Sequence, residues 1–154
     1  MRKAKWALIA LPILFVGIQF FRPQKNSAPQ IGPDDISKVL AVPQPVLAVL
    51  RTSCFDCHSN HTRYPWYAQV APVSWWIAGH IEEGKKHLNF SSFATYSKKR
   101  QLHKLDEIAE AVEQGWMPLK SYKLLHAEAN LRASDVKLIS DWLKIARAEL
   151  EVHQ

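Results

Sequence analysis

Val136, Ile139, Trp142, Leu143, Ala146 and Leu150 recur at helical spacing near the end of the chain. That period places them on one face of an α-helix. Ser134 is a good cap for it, with Asp135 in the favourable first turn. A second stripe, Leu102, Leu105, Ile108, Ala109 and Val112, runs from a cap at Ser97 to a natural terminator at Gly115. No run alternates apolar and polar residues as a half-buried strand would. The expected fold is all-α, a small domain of four or five short helices.

Three more segments complete that reading. From Pro45, VLAVLRTSCFDCH reads as a short helix with Val46, Val49 and Leu50 on its apolar face and Leu47 at the flank. Pro72 or Val73 opens VSWWIAGHIEEGKKH, in which Trp76, Ile77 and His80 share a side and Gly84 is expected to interrupt or end the helix. WMPLKSY is a loop that Pro118 keeps out of helical form, and YKLLHAEANL has room for a helical turn or two. With 154 residues, the chain has room for one domain with a modest core.

The N-terminus has a different character. MRKAK precedes an apolar run from Trp6 to Phe21, which would span ~24 Å as a helix against a hydrocarbon core of ~30 Å. Residues 1–22 are expected to form a membrane anchor, with a cleaved signal peptide as the rival. Either would place the domain across a membrane, the anchor holding it at the periplasmic face. Residues 23–35, polar and proline-containing, read as a flexible tether, 36–150 as the domain and 151–154 as a tail. The formal charge of +6 falls to +2 without Arg2, Lys3, Lys5 and Arg22. The domain is nearly balanced, so nothing in its charge favours a nucleic-acid partner.

CFDCH, Cys54 to His58, carries the only two cysteines. C-x-x-C-H suits covalent attachment of haem c. Two thiols one helical turn apart form thioethers to the vinyl groups, and the adjacent histidine reaches the iron. Three other chemistries compete. A redox dithiol uses C-x-x-C at a helix N-terminus near a βαβ unit, whereas this motif ends a helix. A local disulfide suits an oxidising compartment. Zinc on Cys54, Cys57 and His61 would need a distant fourth ligand.

A six-coordinate haem iron needs a second axial ligand. Met117 is the only methionine besides the initiator, and it sits in a Gly-Trp-Met-Pro loop between helices. A soft thioether suits iron and raises a haem potential. His80, on the apolar side of its helix, is the rival ligand. His61 is too close to His58 to reach the opposite face easily. His87, His103 and His126 read as surface or capping groups, and His153 as inert. A carbonyl near Pro65 is the expected partner for the second ring nitrogen of His58. Trp66, Tyr67, Trp75, Trp76 and Trp116 are candidates for the haem wall or for ordinary packing, and Arg63 for a propionate contact or solvent.

From about Asp34 to Leu150 the chain resembles a bacterial haem-binding domain family of exported or membrane-anchored proteins. The resemblance rests on three blocks in order: CFDCHSNHTRYPWYAQVAPVSWWIAGHIEEGKKHLNF, GWMPLKSYKLLHAEANL and SDVKLISDWL. It implies haem binding through Cys54, Cys57 and His58. The chain is similar, more weakly, to small class I cytochromes c, whose methionine-proline loop matches Met117-Pro118. Its long aromatic segment after His58 departs from their compact glycine-rich loop. The expected role is one-electron transfer with an unidentified periplasmic or membrane redox partner. A haem-based peroxidase or a gas or redox sensor is the alternative, so enzymatic activity stays open.

Overall fold

The computed structural model describes residues 2–152. Seven α-helices follow one another: α1 (Arg2–Ile18), α2 (Gln44–Ser53), α3 (Phe55–His58), α4 (Val73–His87), α5 (Lys98–Glu113), α6 (Lys120–Leu125) and α7 (Ala133–Val152). Short 3-10 turns separate several of them. Among the described residues the only extended pairing is an isolated bridge between Ser27 and His61. The domain is therefore all-α. His153, expected to be inert, lies outside the described residues.

The two apolar stripes make the core. Ile139, Trp142, Leu143, Ala146 and Leu150 of α7 are buried against Leu105, Ile108 and Val112 of α5. Val46, Leu47 and Leu50 of α2 join them, with Ile36 and Leu40 from the preceding segment. The Trp142 indole N–H donates to the Ala41 carbonyl at 3.0 Å, so its polar edge is satisfied inside the core. Ser97 caps α5 by accepting from the Arg100 N–H, and Gly115 ends that region at φ 71°. Ser134 does not cap α7. The helix starts one residue earlier, and the Asp135 carboxylate takes the Arg132 N–H instead.

The membrane anchor expected at residues 1–22 is overturned. α1 takes in Arg2, Lys3 and Lys5 and stops at Ile18. Its apolar part, Trp6–Ile18, measures about 20 Å at ~1.5 Å per residue, well short of ~30 Å. Among the described residues no helix is long and apolar enough to cross a membrane. The membrane as a partner and the placement at a periplasmic membrane face rested on that anchor and fall with it.

The segment read as a tether carries specific bonds. Asn26 donates to the Ser59 carbonyl and to Thr62 Oγ1, accepts from Lys85, and gives its backbone N–H to the Tyr64 hydroxyl. The Ala28 N–H donates to the Asn60 carbonyl, and the Thr62 N–H to the Asn26 carbonyl. These contacts lay residues 26–28 along the chain that leaves the cysteine motif.

Candidate haem site

α2 ends at Cys54, and the next four residues form the single turn α3. The Cys54 carbonyl accepts from the His58 N–H at 3.0 Å, closing that turn. CFDCH thus makes its own helical turn at the end of α2, which places both thiols one turn apart. The two residues between the cysteines hold the turn from opposite directions. Phe55 is buried in the core and stacks on Phe90 with centroids 4.8 Å apart. Asp56, also buried, accepts from the Arg63 backbone N–H, the Arg63 guanidinium and the Tyr122 hydroxyl. No sequence pattern singled out Asp56 or Tyr122, because their partners lie in other elements.

His58 is fixed by α4. Its Nδ1 lies 3.0 Å from the Gly84 carbonyl and 3.1 Å from the Leu88 carbonyl. Two acceptors on one nitrogen require the proton there, so Nε2 is the nitrogen left to bind a metal. Burial lowers the basicity of the ring below the ordinary histidine value, partly opposed by the two carbonyls. The neutral ring that a metal requires is therefore favoured. The acceptor expected near Pro65 is instead the last turn of α4. Gly84 does not interrupt that helix, which continues to His87.

Cys54 and Cys57 are free, half-buried thiols. Burial, with a smaller contribution from Cys57, pushes the Cys54 thiol up to about 12. Burial, then Asp56, pushes Cys57 up to about 11. A redox dithiol needs a thiolate near neutral pH, and this environment opposes one. The zinc set does not form either. His61 turns its Nδ1 to the Ala28 carbonyl, and among the described residues no three His, Cys, Asp or Glu side chains gather as a metal cluster.

Two cavities of about 290 and 300 Å³ meet at the motif. Cys54, His58, His87 and Met117 line both. The first continues along Phe90, Ile108, Val112 and Trp116; the second along Cys57, His80, Pro118 and Tyr122. Each is near the lower end of the ~300–1,000 Å³ range of ligand sites. Met117 reaches these walls from the turn after α5, where its N–H donates to the Ala111 carbonyl. His80 lines the second cavity and packs edge-on against Trp76 at 4.3 Å.

Other expectations separate. Of the five aromatics proposed for the wall, Trp116 alone lines either cavity. Trp66 is 78% exposed, so it neither packs in the core nor walls the site. Arg63 pairs with Asp56 at 3.0 Å and lines neither cavity. His87 and His103 are exposed and pair with Glu83 and Glu107 one turn away. His126 bonds to Tyr67 and to the Tyr122 carbonyl.

A largely apolar double cavity with two thiols, an oriented imidazole and a thioether on its walls has the donor set that haem requires. No curated protein and no solved structure matches the chain. A family model described as haem-binding domain matches residues 13–145. That match covers most of the chain, which therefore belongs to the haem-binding domain family.

Proposed function

We propose that the chain is a covalent haem c protein that carries single electrons, with His58 and Met117 as the residues that would hold its iron. The observation that carries this reading is the sharing of Cys54, His58 and Met117 by both cavities. Cys54 and Cys57 would hold the group through thioethers, each Sγ–H adding across a vinyl double bond with no leaving group. His58 offers Nε2 while α4 holds Nδ1, and Met117 offers a soft sulfur. Bound haem supplies a reversible one-electron couple. The protein's part is to keep the ligand set fixed in both states and to shield the apolar face of the group from water.

The test is to produce the protein with haem-attachment machinery and compare absorption spectra with those of Met117→Ala. Covalent low-spin haem that becomes high-spin in the variant supports the proposal. An unchanged low-spin spectrum moves the second ligand to a histidine, His80 first: it lines the second cavity, whereas His87, which lines both, has its Nε2 held by Glu83. A high-spin native protein that binds carbon monoxide rapidly in the ferrous state favours catalysis or sensing over electron transfer.

A further inference from the structure

α4 meets the cysteine motif through bare backbone. A Cβ built on Gly84 would lie 2.7 Å from the Cys57 carbonyl oxygen and 3.2 Å from both its carbonyl carbon and its Cβ. The nearest contacts are main chain, which has no rotamer with which to yield. Gly84 is thus the residue that lets the last turn of α4 lie against CFDCH. The same turn supplies the two carbonyls that receive His58 Nδ1, from Gly84 and Leu88. The Gly84 carbonyl also accepts the Leu88 N–H at 2.9 Å, so one oxygen ends the helix and orients the ring.

We propose that Gly84 is a positioning residue for His58, and that its close backbone contact sets how strongly the ring donates to iron. This rests on His58 being a haem ligand. Carbonyls at a helix C-terminus carry the negative end of the helix dipole. Two of them drawing on the Nδ1 proton enrich Nε2 in electron density and make it a stronger ligand. A stronger donor favours the oxidised metal and lowers the reduction potential. A side chain at residue 84 pushes α4 away, lengthens both bonds and weakens the ligand.

The molecule supplies its own control. Gly79 lies on the same helix and has open space around its Cβ direction. Gly79→Ala makes the same chemical change without a clash, and raises helix propensity.

The experiment compares the haem-loaded full chain with Gly84→Ala and Gly79→Ala by redox titration. In parallel, NMR follows the exchange of the His58 Nδ1 proton with solvent. The expected result for Gly84→Ala is a roughly tenfold shift toward the reduced form, an upward change of about 59 mV for one electron, with faster Nδ1 proton exchange. Gly79→Ala should match the native protein in both. Equal potentials and exchange rates in the two loaded variants would overturn the proposal. If Gly84→Ala fails to take up haem, the apoproteins decide: faster Nδ1 proton exchange in Gly84→Ala than in Gly79→Ala supports the proposal, and equal rates sink it. Failure of the haem assignment would look different, since the native protein would then carry no covalent haem. The Nδ1 exchange comparison in the apoprotein would still test the positioning role.

Discussion

The Tyr122 hydroxyl donates to Asp56 Oδ2 at 2.7 Å, joining α6, just beyond the Met117 loop, to the centre of CFDCH. Asp56 keeps its Arg63 bonds when this one is lost. Tyr122→Phe should therefore cost about 1.5–3 kcal/mol, the usual worth of a bond to a charged group. Denaturant unfolding measures it. A change below ~0.5 kcal/mol would mean that the bond contributes little in solution.

The same contact predicts an alkaline limit. Burial, and then the Asp56 carboxylate, hold the Tyr122 phenol well above the ordinary tyrosine range. The folded protein thus keeps a proton that the unfolded chain releases near pH ~10. The stability from this contact is complete below that pH and falls as pH rises beyond it. Unfolding midpoints from pH 8 to 11.5 should decline more steeply for the native protein than for Tyr122→Phe. Parallel declines would exclude the linkage.

Phe55 anchors the other side of the motif. Phe55→Ala removes a buried ring stacked on Phe90 and should cost about 3–5 kcal/mol. Phe55→Leu should recover a large part of that. Thermal unfolding of the three apoproteins orders them, and an alanine variant as stable as the leucine variant would contradict the packing described.

Asn26 makes residues 26–28 part of the folded unit. A chain beginning at Ile36 should be less stable than one beginning at Gln24 by several kcal/mol, because it loses side-chain and main-chain bonds together. Asn26→Ala in the full chain should cost about 1–3 kcal/mol alone. Equal unfolding midpoints for the two truncated proteins would reduce these bonds to surface decoration.

The thiols of the apoprotein should be sluggish nucleophiles. Their thiolates are disfavoured, with Cys54 pushed up to about 12 and Cys57 to about 11. Alkylation at pH 8 should be at least tenfold slower in the native apoprotein than in denaturant. Comparable rates would show that the motif opens freely.

What could be read in the sequence was local. The α5 and α7 stripes repeat within one helix, so periodicity alone exposed Leu105, Ile108, Ile139 and Leu143 as core. CFDCH is a motif of one turn, and Met117 stood out because the domain has no other methionine. What was illegible depends on elements meeting. Nothing near His58 in the chain announces that its ring partners are Gly84 and Leu88. Gly84 looked like a helix breaker because a glycine that permits close packing has the same letter. The apolar run at the N-terminus misled for a related reason. Hydropathy marks Trp6 to Phe21, but α1 stops at Ile18.

The ring of His58 is held by main-chain oxygens, and this alters how the site tolerates genetic drift. A carboxylate or amide partner disappears with one codon change. A carbonyl persists whatever side chain its residue bears, as long as the helix keeps its course. The bond from Leu88 does not use its side chain, which packs on the core instead, whereas any side chain at position 84 would meet the Cys57 main chain.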